Sequence, residues 1–217
     1  MSVVVAGMIM ASSPAWAVLL MAKAAYWRMN ETSGKMIDSS RHTNRGTPRN
    51  VVRTGTTYVF NGTTSRVVVP DHASLDPAGE GITLRAYVRV PNHAMDDDSY
   101  DIVRKGLSGT GGGDYKMEIK RTTNRTIGNL HCLFGGSRGT VSKVARGDIV
   151  DGRWHTLECV KTSDSVVAKV DGRSYTKAGS AGSISSSTNV LVGAKKVKPF
   201  DDVFDGSMDF VSIDISQ

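Results

Sequence analysis

From Ile82 to Val90 the chain alternates apolar and polar side chains. Ile82, Leu84, Ala86, Val88 and Val90 take every second position, with Thr83, Arg85, Tyr87 and Arg89 between them. Successive side chains of a strand project to opposite faces, so this period of two predicts a strand with one buried and one more polar face. Short apolar segments of the same kind recur at 101–106, 114–121, 129–136, 153–161, 165–170, 188–194 and 206–216. Asn61-Gly62 separates two further strand-like runs, "TTYVF" and "SRVVVP", which is the signature of a tight hairpin. Asp151-Gly152 and Asp171-Gly172 bracket "RWHTLECVK" and "SVVAKV", a second hairpin joined near "TSDS". Residues 71–81 read as a turn or a single helical turn, and no window of helical period exceeds about two turns. Many short strands without repeat or linker predict one all-β domain, a two-sheet antiparallel sandwich or jelly roll.

Composition extends this picture to compartment and partners. The 23 glycines among 217 residues suit a chain of many turns. An apolar run at 3–11 followed by Ala15-Trp16-Ala17 fits a secretory signal with an A-x-A cleavage site, although the first basic residue is Lys23. Export with cleavage after Ala17 is therefore expected, leaving one domain at 18–217. No other stretch approaches the roughly 18 apolar residues of a membrane span. With 27 Lys+Arg against 21 Asp+Glu the net charge is +6. The basic residues are spread out and lack the aromatic interleaving of a nucleic-acid groove, so no nucleic-acid partner is expected. They read as a solvated surface, with attraction to acidic polymers such as uronic-acid polysaccharides as the functional alternative.

Candidate chemistry is sparse. Cys132 and Cys159 lie in strand-like segments, and an oxidising compartment would join them as a disulfide across neighbouring strands. The competing reading, a nucleophilic cysteine served by His155, requires a free thiol and a positioned base. No carboxylate or cysteine sits near His155 at metal-ligand or triad spacing, so that histidine reads as structural. "GLSGTGGGD" lacks the Gly-Lys-Ser/Thr of a phosphate-binding loop. The acidic run "MDDDS" lacks the order of an EF-hand loop.

The pieces "YVFNGTTSRVVVP", "SLD", "ITLRAYVR", "IVRKG", "YKMEI", "DGRWHTL", "VAKVDG" and "FDGSMDFVSI" occur in that order. As an ordered set, running from about Trp27 to Ile215, they resemble a laminin G-like domain of the concanavalin A-like lectin/glucanase superfamily in its secreted bacterial form. The resemblance implies two curved antiparallel sheets packed as a jelly roll, with Trp154 anchored in the core and His155 on the other face. It also implies a structural Ca²⁺ held by Asp38 and Asp209, although Asp209-Phe210 leaves fewer carboxylates than relatives carry. The Glu-x-Asp-x-x-Glu run of the glucanase branch is absent, as are the Arg-x-Glu and Gln-x-His motifs of the lyases. A secreted, non-catalytic module that binds carbohydrate or another extracellular polymer is the expectation, with Tyr100, Tyr115 and Tyr175 as ligand-binding candidates. An adhesion domain that meets a protein is the first alternative. A glycoside hydrolase or polysaccharide lyase with an unrecognised site is the second.

Overall fold

Strands form where the alternation predicts them. A computed structural model of the chain describes residues 21–79, 81–123 and 127–216, so the expected signal segment at 1–17 lies outside the described residues. The first half contains β1 (Met21–Trp27), β2 (Thr47–Arg49), β3 (Val52–Arg53), β4 (Tyr58–Asn61), β5 (Arg66–Val69), β6 (Ile82–Arg89), β7 (Ser99–Lys105) and β8 (Asp114–Arg121). The second half contains β9 (Gly128–Gly136), β10 (Gly139–Ala145), β11 (Trp154–Lys161), β12 (Ser165–Val170), β13 (Arg173–Ala178), β14 (Val190–Val192) and β15 (Asp205–Ser216). A single 3-10 turn, Ala73–Leu75, occupies the segment read as a turn.

The strands build two antiparallel sheets. The first runs β13-β12-β11-β6-β15-β4-β3, with β1 also paired to β15, and the second runs β10-β9-β8-β7-β14-β5-β2. Strand β15 pairs with β6 along most of its length, with β4 near its start and with β1 near its end. Ile82, Leu84, Ala86 and Val88 are fully buried between the sheets, as the alternation requires. Burial of each large aliphatic side chain stabilises the fold by about 1.5–3 kcal/mol.

Pairing of β11 with β6 corrects the expected orientation of Trp154 and His155. His155 lies opposite Val88, Leu157 opposite Ala86 and Cys159 opposite Leu84, so these residues share the inward face. Trp154 lies opposite Arg89 and Thr156 opposite Tyr87, which turns the tryptophan outward and leaves it half-buried. His155 is the buried member of the pair. Its Nδ1 is 2.8 Å from Asp171 Oδ2 and its Nε2 3.0 Å from Asp151 Oδ1. Both Asp-Gly turns are thereby fastened to one imidazole, and Asp171 and Gly172 adopt the left-handed φ of +49° and +81° that a tight hairpin turn demands.

The cysteines pair, but between the sheets rather than across neighbouring strands. Cys132 comes from β9 in the second sheet and Cys159 from β11 in the first, with Cα atoms 5.4 Å apart. The bond closes a loop with a sequence separation of 27 residues. Reduction, or the Cys132→Ala/Cys159→Ala double substitution, is expected to lower unfolding free energy by about 3 kcal/mol in a urea titration. Two alkylated cysteines in the native, non-reduced protein would contradict the pairing.

Burial opposes protonation of His155, and the hydrogen bonds to Asp151 and Asp171 outweigh it, so its pKa is raised. A raised histidine pKa contributes stability that is fully present below the ordinary value of about 6.5 and is lost as pH rises through the folded value. His155→Ala is accordingly expected to cost more stability at pH 6 than at pH 9, measured by urea unfolding at both. A gap independent of pH would contradict the assignment.

Candidate functional site

The outward face of the first sheet carries four aromatic rings in a row. Trp154, Tyr87, Phe210 and Tyr26 come from the adjacent strands β11, β6, β15 and β1, and each is half-buried. The Trp154 and Tyr87 rings are 4.9 Å apart at 25°, Tyr87 and Phe210 are 6.4 Å apart at 24°, and Phe210 meets Tyr26 edge-on at 5.9 Å. Near-parallel rings at these separations are offset rather than eclipsed, which leaves part of each ring open to solvent.

A β-bulge shapes one end of the row. In the β15–β6 pairing, Met208 faces Val88 and Phe210 faces Tyr87, so Asp209 is an extra residue with no partner in the ladder. Bulges re-aim side chains, and this one brings Asp209 to a cavity of about 370 Å³. Tyr26, Arg28, Asn30, Thr56 and Phe210 line the same cavity. Burial alone raises the Asp209 pKa. Carboxylate, amide, hydroxyl and guanidinium groups beside two aromatic rings are the donors and acceptors that a polyhydroxylated ligand needs.

Cations frame the row. Arg28 and Lys23 lie 5.6 and 4.4 Å from the Tyr26 ring centre, and Arg89 lies 5.5 Å from that of Trp154. Alongside, an ion-pair ladder crosses five strands, from Lys23 to Asp214 at 3.7 Å, Asp214 to Arg85 at 2.6 Å, Arg85 to Glu158 at 2.6 Å and Glu158 to Lys169 at 2.5 Å.

The tyrosines singled out from sequence do not form this surface. Tyr100 and Tyr115 are 1% and 0% exposed, which corrects their assignment as ligand-binding residues. Both lie on the core side of the second sheet. The Tyr100 hydroxyl accepts from the Asp96 amide, and the Tyr115 hydroxyl donates to the Leu75 carbonyl, so each polar tip is satisfied internally. Tyr175 is half-buried on β13, with its hydroxyl donating to the Arg146 carbonyl, apart from the aromatic row.

Asp38, expected to hold Ca²⁺ together with Asp209, is bonded by the chain's own donors. Its Oδ1 accepts from the Tyr26 and Ser40 amides, and its Oδ2 from the Ser40 hydroxyl and the Asn44 amide. A carboxylate offers about four acceptor positions, and all are taken by the chain's own donors. Asp38 organises the early loop, and the residues present do not fit a cation there.

Carboxylates do converge over the second sheet. Oxygens of Asp101, Glu118 and Asp202 lie within 4.8 Å of one another, as do those of Asp97, Asp201 and Asp202. A cavity of about 740 Å³ opens above them. Basic side chains already face these groups, with Arg104 2.7 Å from Asp101, Lys116 and the His131 imidazole 2.7 and 2.6 Å from Glu118, and Lys195 3.0 Å from both Asp201 and Asp202. Burial, the largest influence, holds Asp101 well above the usual carboxylate range despite Arg104. Burial also works against ionisation of Glu118, but His131 and Lys116 outweigh it and hold that group well below the range. A carboxyl pair with opposed pKa values is what a glycosidase uses. Asp101, which would have to donate the proton, is completely buried and meets no ligand from the cavity.

Sequence reasoning found Tyr87 on a polar face and missed the row around it. The signal available was the parity of "RWHTL" against "ITLRAYVR", which needs the strand register to be read.

Comparison with known proteins now bears on these surfaces. Residues 61–214, more than half of the chain, match the laminin G family model described as the concanavalin A-like lectin/glucanases superfamily. A search of curated proteins found no match. Among solved structures, domain 4 of AbnA, a GH43 extracellular arabinanase from Geobacillus stearothermophilus in complex with arabinotriose, aligns with a TM-score of 0.61 at 16% identity, covering 90% of this chain and 93% of that one. Domains LG4-5 of the mouse laminin alpha1 chain align with a TM-score of 0.56 at 13% identity, covering 74% of this chain and 42% of that one. The binding domain of botulinum neurotoxin DC in complex with rat synaptotagmin II aligns with a TM-score of 0.65 at 12% identity, covering 90% and 49%. The chain thus spans less than half the length of the laminin and neurotoxin chains it matches.

Asp38→Asn replaces an acceptor with a donor that faces backbone amides, and is expected to cost about 1–3 kcal/mol of stability by chemical denaturation. Chelator is expected to leave the Tm unchanged, and a Tm lowered by chelator and restored by calcium would overturn this account of the loop.

Proposed function

This chain belongs to the concanavalin A-like lectin/glucanases superfamily, and on that premise we propose that it is an extracellular, non-catalytic module that binds a polysaccharide. The observation that supports the reading is the solvent-facing row Trp154–Tyr87–Phe210–Tyr26 ending in the polar cavity at Asp209. Sugar rings present apolar C–H faces and a rim of hydroxyls, and a ligand with both needs aromatic surface beside fixed donors and acceptors. The row follows the sheet across four strands, which suits an extended chain rather than a single small molecule. The arabinotriose-bound arabinanase domain supports carbohydrate as the ligand class, and the apolar segment at 3–11 with Ala15-Trp16-Ala17 supports export of a domain at 18–217. No helix among the described residues is long and apolar enough to cross a membrane.

Protein adhesion is the second reading, favoured by the likeness to the neurotoxin domain in complex with synaptotagmin. Affinity electrophoresis in a panel of soluble polysaccharides separates the two. Trp154→Ala and Tyr87→Ala are each expected to weaken retention about tenfold, equivalent to about 1.4 kcal/mol, with an unchanged circular dichroism spectrum. Retention by no polysaccharide, or retention unaffected by both substitutions, would sink the proposal.

A further inference from the structure

The two ends of the aromatic row carry cations that the fold leaves unused. Arg28 is exposed at the Tyr26 end and Arg89 at the Trp154 end. Neither makes an ion pair or a side-chain hydrogen bond among the described residues, whereas Arg85, Lys23 and Lys169 on the same face are all held by Asp214 or Glu158. Arginine presents planar, always-charged N–H pairs that match a carboxylate, and a ring beneath it holds the guanidinium in place while its N–H edge stays free. Arg28 also shares the cavity with Asn30, Thr56 and Asp209, so a charged group and hydroxyls of one ligand would be met side by side.

We propose that the ligand of this face is an acidic polysaccharide, a uronate chain, whose ring faces lie along the aromatic row and whose carboxylates are held by Arg28 and Arg89. The inference rests on the polysaccharide-binding reading and adds the ligand's charge. A nucleic acid shares the negative charge and the stacking, but its phosphates would meet the carboxylate of Asp209, with no sugar hydroxyl at all in DNA and one per nucleotide in RNA. A uronate chain carries a hydroxyl or a carboxylate at most ring positions, so it satisfies Asp209 and the arginines together.

The test compares polygalacturonate with the same chain fully methyl-esterified, by isothermal titration against the whole chain and the Arg28→Gln/Arg89→Gln variant. The charged chain is expected to bind at least about tenfold tighter than the ester, an advantage that falls with added salt and disappears in the double variant while ester binding persists. Equal affinity for the two chains, or an advantage that survives the double substitution, overturns the inference and leaves the polysaccharide reading standing. Absence of binding to either chain and to a neutral panel overturns both. Tighter binding to a single-stranded oligonucleotide than to polygalacturonate overturns the assignment of ligand class.

Discussion

Strand β6 has no freedom to slip, because β11 pairs along its whole length on one side and β15 follows it on the other. A shift of one residue would carry Ile82, Leu84, Ala86 and Val88 to solvent and drive Arg85 and Arg89 into the core. That prohibition fixes the outer face as firmly as the inner one. Tyr87 projects outward because its neighbours project inward, and the register then sets Trp154 and Phe210 on either side of it. The aromatic row is thus a by-product of core packing in position and a departure from it in composition. A sheet face exposed to water has no need of four rings.

The bulge at Asp209 belongs to the same constraint. Strand β15 must keep Met208 and Val211 buried on one side while it serves β4 with its first residues and β1 with its last. Inserting one unpaired residue changes which side chains face outward midway along the strand. Phe210 therefore reaches the row, and Asp209 reaches the cavity beside Asn30 and Arg28. Charges are distributed by the same geometry. The ladder from Lys23 to Lys169 ties five strands together through the buried carboxylate of Asp214 and the largely covered one of Glu158, and leaves Arg28 and Arg89 without carboxylates.

How much of this was legible in the chain depended on whether one strand or two were needed to read it. The alternation of 82–90, the Asp171-Gly172 turn and the pairing of Cys132 with Cys159 follow from local pattern and composition, and the structure contains them, whereas the strands on either side of Asn61-Gly62, β4 and β5, lie in opposite sheets and do not form the hairpin expected of that dipeptide. That the disulfide joins opposed sheets was hidden, since strand adjacency is set by the chain's path and not by the segments themselves. The resemblance placed Trp154 in the core as the apolar member of its pair, and the register of β11 against β6 reverses the two faces. Two aspartates at the Asp-Gly turns let the histidine be buried with both ring nitrogens bonded, and that option is invisible until Asp151 and Asp171 are brought to it. Tyr100 and Tyr115 failed as ligand contacts for the opposite reason. Their hydroxyls find the Asp96 amide and the Leu75 carbonyl inside the fold, contacts that no local sequence pattern announces.

The two outward faces of the sandwich differ in what they can offer a partner. Over the second sheet, acids and bases are packed against one another. Glu118 is gripped by Lys116 and His131, Asp101 sits beside Arg104 without exposure, and Lys195 spans two aspartates. A ligand entering there would have to break buried ion pairs, and removing one partner of such a pair costs far more than a surface contact returns. On the first sheet the aromatic surface is already half-open and the two arginines at its ends have no carboxylate partner to lose. Binding on this face would therefore forfeit little and gain stacking, hydrogen bonds and charge at once, which is the reason for proposing recognition on β6, β11 and β15 rather than at the larger cavity opposite.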